Sequence, residues 1–268
     1  MSFYDLDKEE RVILVRKIDD AILGDLRDGT NGNLLLYFSD KDTYIRKAGY
    51  LAVAKIYKHH PELLDVIIKT LEKLYKQQQF SIRQTVVNAA GEIGKTDFVS
   101  VQHFFDTALF DDHHTVRNAV IGSVKKMGQV NPVPVLVWAA QYLEHPDKEI
   151  RREICHGIEL RGRTHPEDIL PMLQRLEFDK TARVRNTLVH VLGQIAYKKG
   201  CLEKVIAHLH GWQNKELADK ALLEIVDVHY RYRNFSYYTQ KQALDYIVEH
   251  YKPADYILNT DTLKTIVK

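Results

Sequence analysis

Glu159 and His156 stand three residues apart, and His190 follows His156 after an interval of 34. Residues three apart on a helix share a face, so the acid and the imidazole are neighbours wherever this segment is helical. A carboxylate beside two imidazoles can give and take a proton, the work of a general acid or base. Cations such as Arg152 and Arg163 favour its ionised form. The same residues also fit a salt-bridged surface network with no chemistry attached.

No other stretch carries a reactive pattern. Gly91-Glu92-Ile93-Gly94 is a short repeat ending, neither a phosphate-cradling loop nor a dinucleotide fingerprint. His113-His114 has no partnering cysteines, and the 13 histidines show no HExxH spacing, so no metal site is expected. The two cysteines, Cys155 and Cys201, form no CxxC pair and read as reduced thiols. No cofactor is expected.

The elements that position these residues are legible in a repeated dipeptide. Ile45-Arg46, Ile82-Arg83, Val116-Arg117, Ile150-Arg151 and Val184-Arg185 recur at intervals of 37, 34, 34 and 34 residues. A fixed period of this size marks stacked units that cannot bury an apolar face alone. In the clearest unit, 166–196, Ile169, Leu170, Leu173 and Leu176 stripe one helix; Val184, Leu188, Val191, Leu192 and Ile195 stripe a second. Asp179-Lys180-Thr181 supplies the polar turn between them.

The turn aspartate, the Val/Ile-Arg pair and the small or apolar residues after it resemble the HEAT-repeat family, as in Asp111 through Ala119 and Asp179 through Arg185. The resemblance covers about residues 34–228. It implies an all-α chain wound as a right-handed α-α superhelix, a HEAT/armadillo-like solenoid of about six helical hairpins. One domain is expected over 1–268: cap helices at 1–33, repeats at 34–228 and a C-terminal cap at 229–268. In a degraded last repeat, Ala218 takes the place of the arginine. The family also implies that each repeated arginine pairs with turn aspartates, here Asp40, Asp42, Asp111, Asp147 and Asp179, as a ladder that locks the stack.

Lysine and arginine number 38 against 36 acids, a formal charge of +2. The acidic start, Met1 to Glu10, has no export signal, and the longest apolar stretch, Val133 to Leu143, is shorter than the roughly 20 residues that span a bilayer. A cytoplasmic location and no membrane contact are expected.

In such a solenoid the second helices line the concave face. Helical phase taken from Val184, Leu188, Val191 and Ile195 places Asn186, Val189, His190, Gly193 and Tyr197 on the side away from the core. Copied to the other repeats, it gives Lys47 and Lys58; Gln84, Asn88, Gly91 and Lys95; Asn118, Gly122, Lys125 and Gln129; Arg152, Cys155, His156, Glu159 and Arg163. In the last repeat it gives Asp219, Leu223, Val226 and Tyr230. Cations dominate this row, so an anionic partner is expected, either nucleic acid or an acidic protein segment. Tyr230, Arg231 and Arg233 belong to a run from His229 to Tyr238 that interleaves bases with aromatics. In such a run arginines can hold phosphates while rings stack on unpaired bases.

Arginine rows, a basic concavity and the phrase Val184 to Leu192 also resemble the HEAT-like-repeat DNA alkylation repair proteins. That resemblance implies a concave acid, here Glu159, acting on an alkylated base. Trp138 and Trp212 lie off the second helices, so the tryptophan expected beside that acid is absent. Three readings follow: a non-catalytic binding module, a glycosylase-like DNA-binding protein and a protein-protein scaffold.

Overall fold

A computed structural model describes residues 2–251. Among them every regular element is helical: fifteen α-helices and two short 3-10 turns, Phe3–Asp5 and Pro61–Leu63. The part of the expected C-terminal cap beyond Tyr251 lies outside the described residues. Contacts group the chain into two compact units that divide between Val135 and Leu136.

The first unit begins with α1 (Lys8–Asp28) and α2 (Gly32–Ser39), followed by α3 (Thr43–His59), α4 (Leu64–Tyr75), α5 (Phe80–Ile93), α6 (Phe98–Ala108) and α7 (His114–Val130). Helices α3, α5 and α7 pack side by side as a row, and α4 touches α6 behind it. Ile82, Val86 and Val87 of α5, with Val116, Val120 and Val124 of α7, are buried at helical spacing and hold the row together.

Helix α8 (Pro132–Tyr142) carries the division. The second unit continues with α9 (Lys148–Gly157), the single turn α10 (Glu159–Gly162), α11 (Pro166–Gln174), α12 (Ala182–Ala196), α13 (Leu202–His210), α14 (Lys215–Arg231) and α15 (Gln240–His250). Here the row is α9, α12 and α14. Its core includes Ile150, Ile154, Val184, Leu188, Val191, Leu222 and Ile225. The architecture within each unit is the HEAT/armadillo-like stacking of helical pairs that the period implies.

The repeated arginines hold the turns. Nη1 of Arg46, Arg83, Arg117, Arg151 and Arg185 donates in every case to the carbonyl six residues back, that of Asp40, Gln77, Asp111, His145 and Asp179. This bond ties the start of each second helix to the turn before it. Two arginines also reach the aspartate of the following turn, Arg83 to Asp111 and Arg151 to Asp179. Asp42 and Asp147 instead accept from backbone N–H groups as helix caps.

Candidate functional site

Chain geometry brings His156, Glu159 and His190 together. The helix that begins at Lys148 stops at Gly157, where Ile158 takes ψ −6, and restarts at Glu159 as α10. Gly162 then lets α10 approach α12 so closely that a Cβ there would lie 2.4 Å from Ile195 Cδ1. Gly193 does the same one helix further on, where a Cβ would lie 2.8 Å from Glu224 Cγ. These two contacts draw α10, α12 and α14 into one site. One ligand atom each from His156, Glu159 and His190 then falls within 4.8 Å of the others.

Glu159 is only 1% exposed, yet its oxygens are engaged on two sides. Oε1 accepts from Arg163 Nη2, and Oε2 lies 3.0 Å from His156 Nε2. Arg163 Nη2 also donates to Gln194 Oε1 at 2.6 Å, which fixes the guanidinium between α10 and α12. The imidazoles are reachable from solvent, with side chains 33% exposed at His156 and 41% at His190. Their rings meet edge to face at 6.0 Å.

Behind His190 stands Glu224, with Oε1 3.4 Å from His190 Nδ1 and 2.6 Å from Arg231 Nη2. Burial alone would raise the Glu224 carboxyl, but the bond from His190 and the Arg231 charge outweigh it and hold it below the usual glutamate value. It is therefore ionised at neutral pH. Cys155, next to His156, is fully buried, and that burial pushes its thiol up, so it offers no nucleophile.

The remaining residues of the row divide. Lys47, Lys58, Asn118, Gln129 and Asn186 are exposed, and Gln84, Asn88, Lys95, Gly122, Lys125, Arg152, Val189 and Leu223 are half-buried. Gly91, Cys155, Glu159, Gly193, Tyr197, Asp219 and Val226, expected to face outward, are buried instead. The cause is lateral packing. Each second helix is covered on its flank by the next one, so positions a quarter turn from the core meet a neighbour rather than water. Tyr197 is stacked on Tyr232 at 5.3 Å, with the charges of Arg163 and Lys198 over its ring.

The row is also richer in ion pairs than helical phase implied. Lys95 pairs with Glu92, Arg152 with Glu149 and Glu153, Arg163 with Glu159, and Arg231 with Asp227 and Glu224. These acids lie within one helical turn of their cations, or two turns for Glu224 and Arg231 on α14, and their long side chains swing onto the row.

A second cluster sits where α14 ends. Phe235 is 72% exposed, and Tyr230 and Tyr237 are also open to solvent. Arg233 lies over the Tyr230 ring at 5.3 Å and Lys199 over Tyr237 at 5.7 Å. The Tyr237 N–H donates to the Tyr197 carbonyl at 3.0 Å, which fastens this segment to the turn holding Lys198 and Lys199. That turn was missed in the sequence because its lysines fall outside the helical phase of α12. Trp138 and Trp212 are both buried.

No protein-family model and no curated protein matches the chain. Similar solved structures include the Escherichia coli protein YibA, at 15% identity over 97% of this chain and 86% of that one with a TM-score of 0.38. An engineered protein matches at 15% identity over 91% of this chain and 69% of its own, with a TM-score of 0.34. A designed armadillo repeat protein in complex with the peptide (KR)4 matches at 17% identity over 83% of this chain and 96% of its own, with a TM-score of 0.26. Among the described residues no helix is long and apolar enough to cross a membrane.

Proposed function

We propose that this chain is a binding module of stacked helical pairs that holds an anionic macromolecule, and that the partner is single-stranded nucleic acid. The observation that carries this reading is the exposed cluster of Tyr230, Phe235 and Tyr237 with Arg233 and Lys199. Open aromatic faces stack on unpaired bases, and cations beside them neutralise the phosphates that link those bases. Asn186, an exposed row position of the same unit, offers a further polar contact. The 34-residue register runs on from Arg117 to Arg151 and supports reading the chain as one repeat array.

Stacking distinguishes this partner from an acidic protein segment, which the cations alone would also attract. The test is fluorescence anisotropy of a labelled single-stranded oligonucleotide at stepped salt concentrations, with an acidic peptide and a duplex of matched charge as competitors. Binding that weakens with salt and resists the peptide supports the proposal. Equal competition by the peptide favours a protein partner, and absence of binding removes nucleic acid altogether.

A further inference from the structure

We infer that His156, Glu159 and His190 form a binding site for one divalent transition-metal ion of the zinc class, with a coordination position left open to solvent. None of these three residues belongs to the aromatic and cationic cluster proposed above, and the inference does not rest on that reading. Two imidazoles and one carboxylate are a donor set suited to Zn2+ and its first-row neighbours. Their candidate ligand atoms lie within 4.8 Å of one another. Tetrahedral coordination with bonds of about 2.1 Å asks for separations of about 3.4 Å. The difference is within reach of a ring rotation at the two half-exposed histidines, while Glu159 stays fixed.

The groups behind the three side chains are arranged as supports for ligands. Glu224 is a carboxylate and can only accept, so the 3.4 Å contact places the proton of His190 on Nδ1 and leaves the Nε2 lone pair for a metal. A carboxylate behind a histidine in this way orients the ring and raises its basicity as a ligand. Arg163 occupies Oε1 of Glu159, so Oε2, the oxygen 3.0 Å from His156 Nε2, is the one turned toward the site. A bound ion would replace the proton shared between His156 and Glu159. Around the site the carboxylates of Glu159, Glu224 and Asp227 face the guanidiniums of Arg163 and Arg231. This balance leaves net negative charge to receive a cation. With three protein ligands, the fourth position falls on the solvent side, where the half-exposed rings of His156 and His190 stand.

The arrangement depends on the repeat. His156, His190 and Glu224 follow one another at intervals of 34 residues, so three successive second helices contribute the two histidines and the support at one level. A search for local ligand spacing passes over such a site because its members are one repeat apart.

The experiment is a Co2+ titration of the full, untagged chain followed by visible absorption, with Zn2+ as competitor. One equivalent should bind, giving the intense ligand-field bands of a four- or five-coordinate ion, and Zn2+ should displace it. Glu224→Gln, which removes no ligand, should weaken binding about 10- to 100-fold. His190→Ala and Glu159→Gln should weaken it further, and the volume-keeping His190→Gln should match His190→Ala. His103→Ala, which removes an exposed histidine from the first unit, should change nothing. Circular dichroism verifies that each variant folds. A spectrum of the six-coordinate aqua ion alone overturns the site. So does a His190 variant that binds as the unsubstituted chain does, or an equal loss from His103→Ala, which would mark adventitious binding by surface histidines.

Discussion

Arg151 donates from Nε and Nη2 to the two carboxylate oxygens of Asp179, 28 residues further along the chain, at 2.5 and 3.0 Å. Its Nη1 holds the His145 carbonyl at 2.7 Å. One guanidinium therefore fastens its own turn to the next. Arg83 and Asp111 repeat the arrangement in the first unit, also 28 residues apart, at 2.7 and 2.9 Å. A planar fork matched to a carboxylate is the strong form of such a bond, and both pairs are largely shielded from water.

Arg151→Ala should lower stability by roughly 1 to 3 kcal/mol, because it takes from Asp179 its charged donor and from the turn carbonyls of His145 and Pro146 the Nη1 that bridges them. Thermal and denaturant unfolding measure this. Loss of binding with unchanged melting would reassign the arginine to the partner.

The same pair sets a pH dependence. Burial by itself would raise the Asp179 carboxyl, but Arg151, the Thr181 N–H and the Thr181 hydroxyl together hold it below the usual carboxylate range. Asp111 behaves alike, with Arg83 opposing burial. A depressed carboxyl contributes stability that is complete above its unfolded pKa, about 3.9, and is lost as the pH falls through its folded value. The melting temperature should therefore drop below about pH 4, and Arg151→Ala should flatten part of that drop. Parallel melting curves of the two proteins between neutral and acid pH would contradict this.

Gly91→Ala should destabilise by about 1 to 3 kcal/mol through overpacking. A Cβ at Gly91 would stand 2.3 Å from Ser123 Oγ and 2.6 Å from Ser123 Cβ, and the latter cannot swing away. Ser123→Gly in the same chain should restore much of the loss, as coupling between contacting sites requires. Additive effects in the double variant would place the strain elsewhere.

The buried residues at Gly91, Cys155 and Asp219 mark the limit of what one helix's periodicity can tell. Phase locates the core side, and Val184, Leu188, Val191 and Ile195 are buried as it requires. It is silent on which flank meets the neighbouring second helix, since that contact joins residues about one repeat apart. The last repeat shows a second limit. Aligning Ala218 with the arginines sets a 33-residue step and puts Asp219 and Val226 outward. A 34-residue step instead selects Lys220, Leu223, Glu224, Asp227 and Arg231, none of which is buried. Glu224 was hidden by that one-residue shift. His156, Glu159 and His190 were legible because the period is sound between the two repeats that hold them, whereas their support by Arg163 and Gln194 depends on the helix break at Ile158.

Arg163→Ala should cost about 3 kcal/mol, because it leaves the buried Glu159 carboxylate short of its main counter-charge. The double variant Arg163→Ala, Glu159→Gln should recover much of this, since the stranded charge is gone. Equal melting temperatures for the single and double variants would mean that the remaining partners of Glu159 compensate its charge.

The central claim is that cations beside exposed rings hold an anionic strand, and the slope of binding against salt tests it most directly. On a single strand each phosphate-contacting cation contributes about 0.7 to the fall of log K with log salt. Substituting Lys199 and Arg233 together by alanine should flatten the slope by about 1.4, and Tyr237→Ala should weaken binding with the slope unchanged. A double variant that keeps the slope of the unsubstituted chain, or a chain that binds no single strand at any salt concentration, would contradict the account.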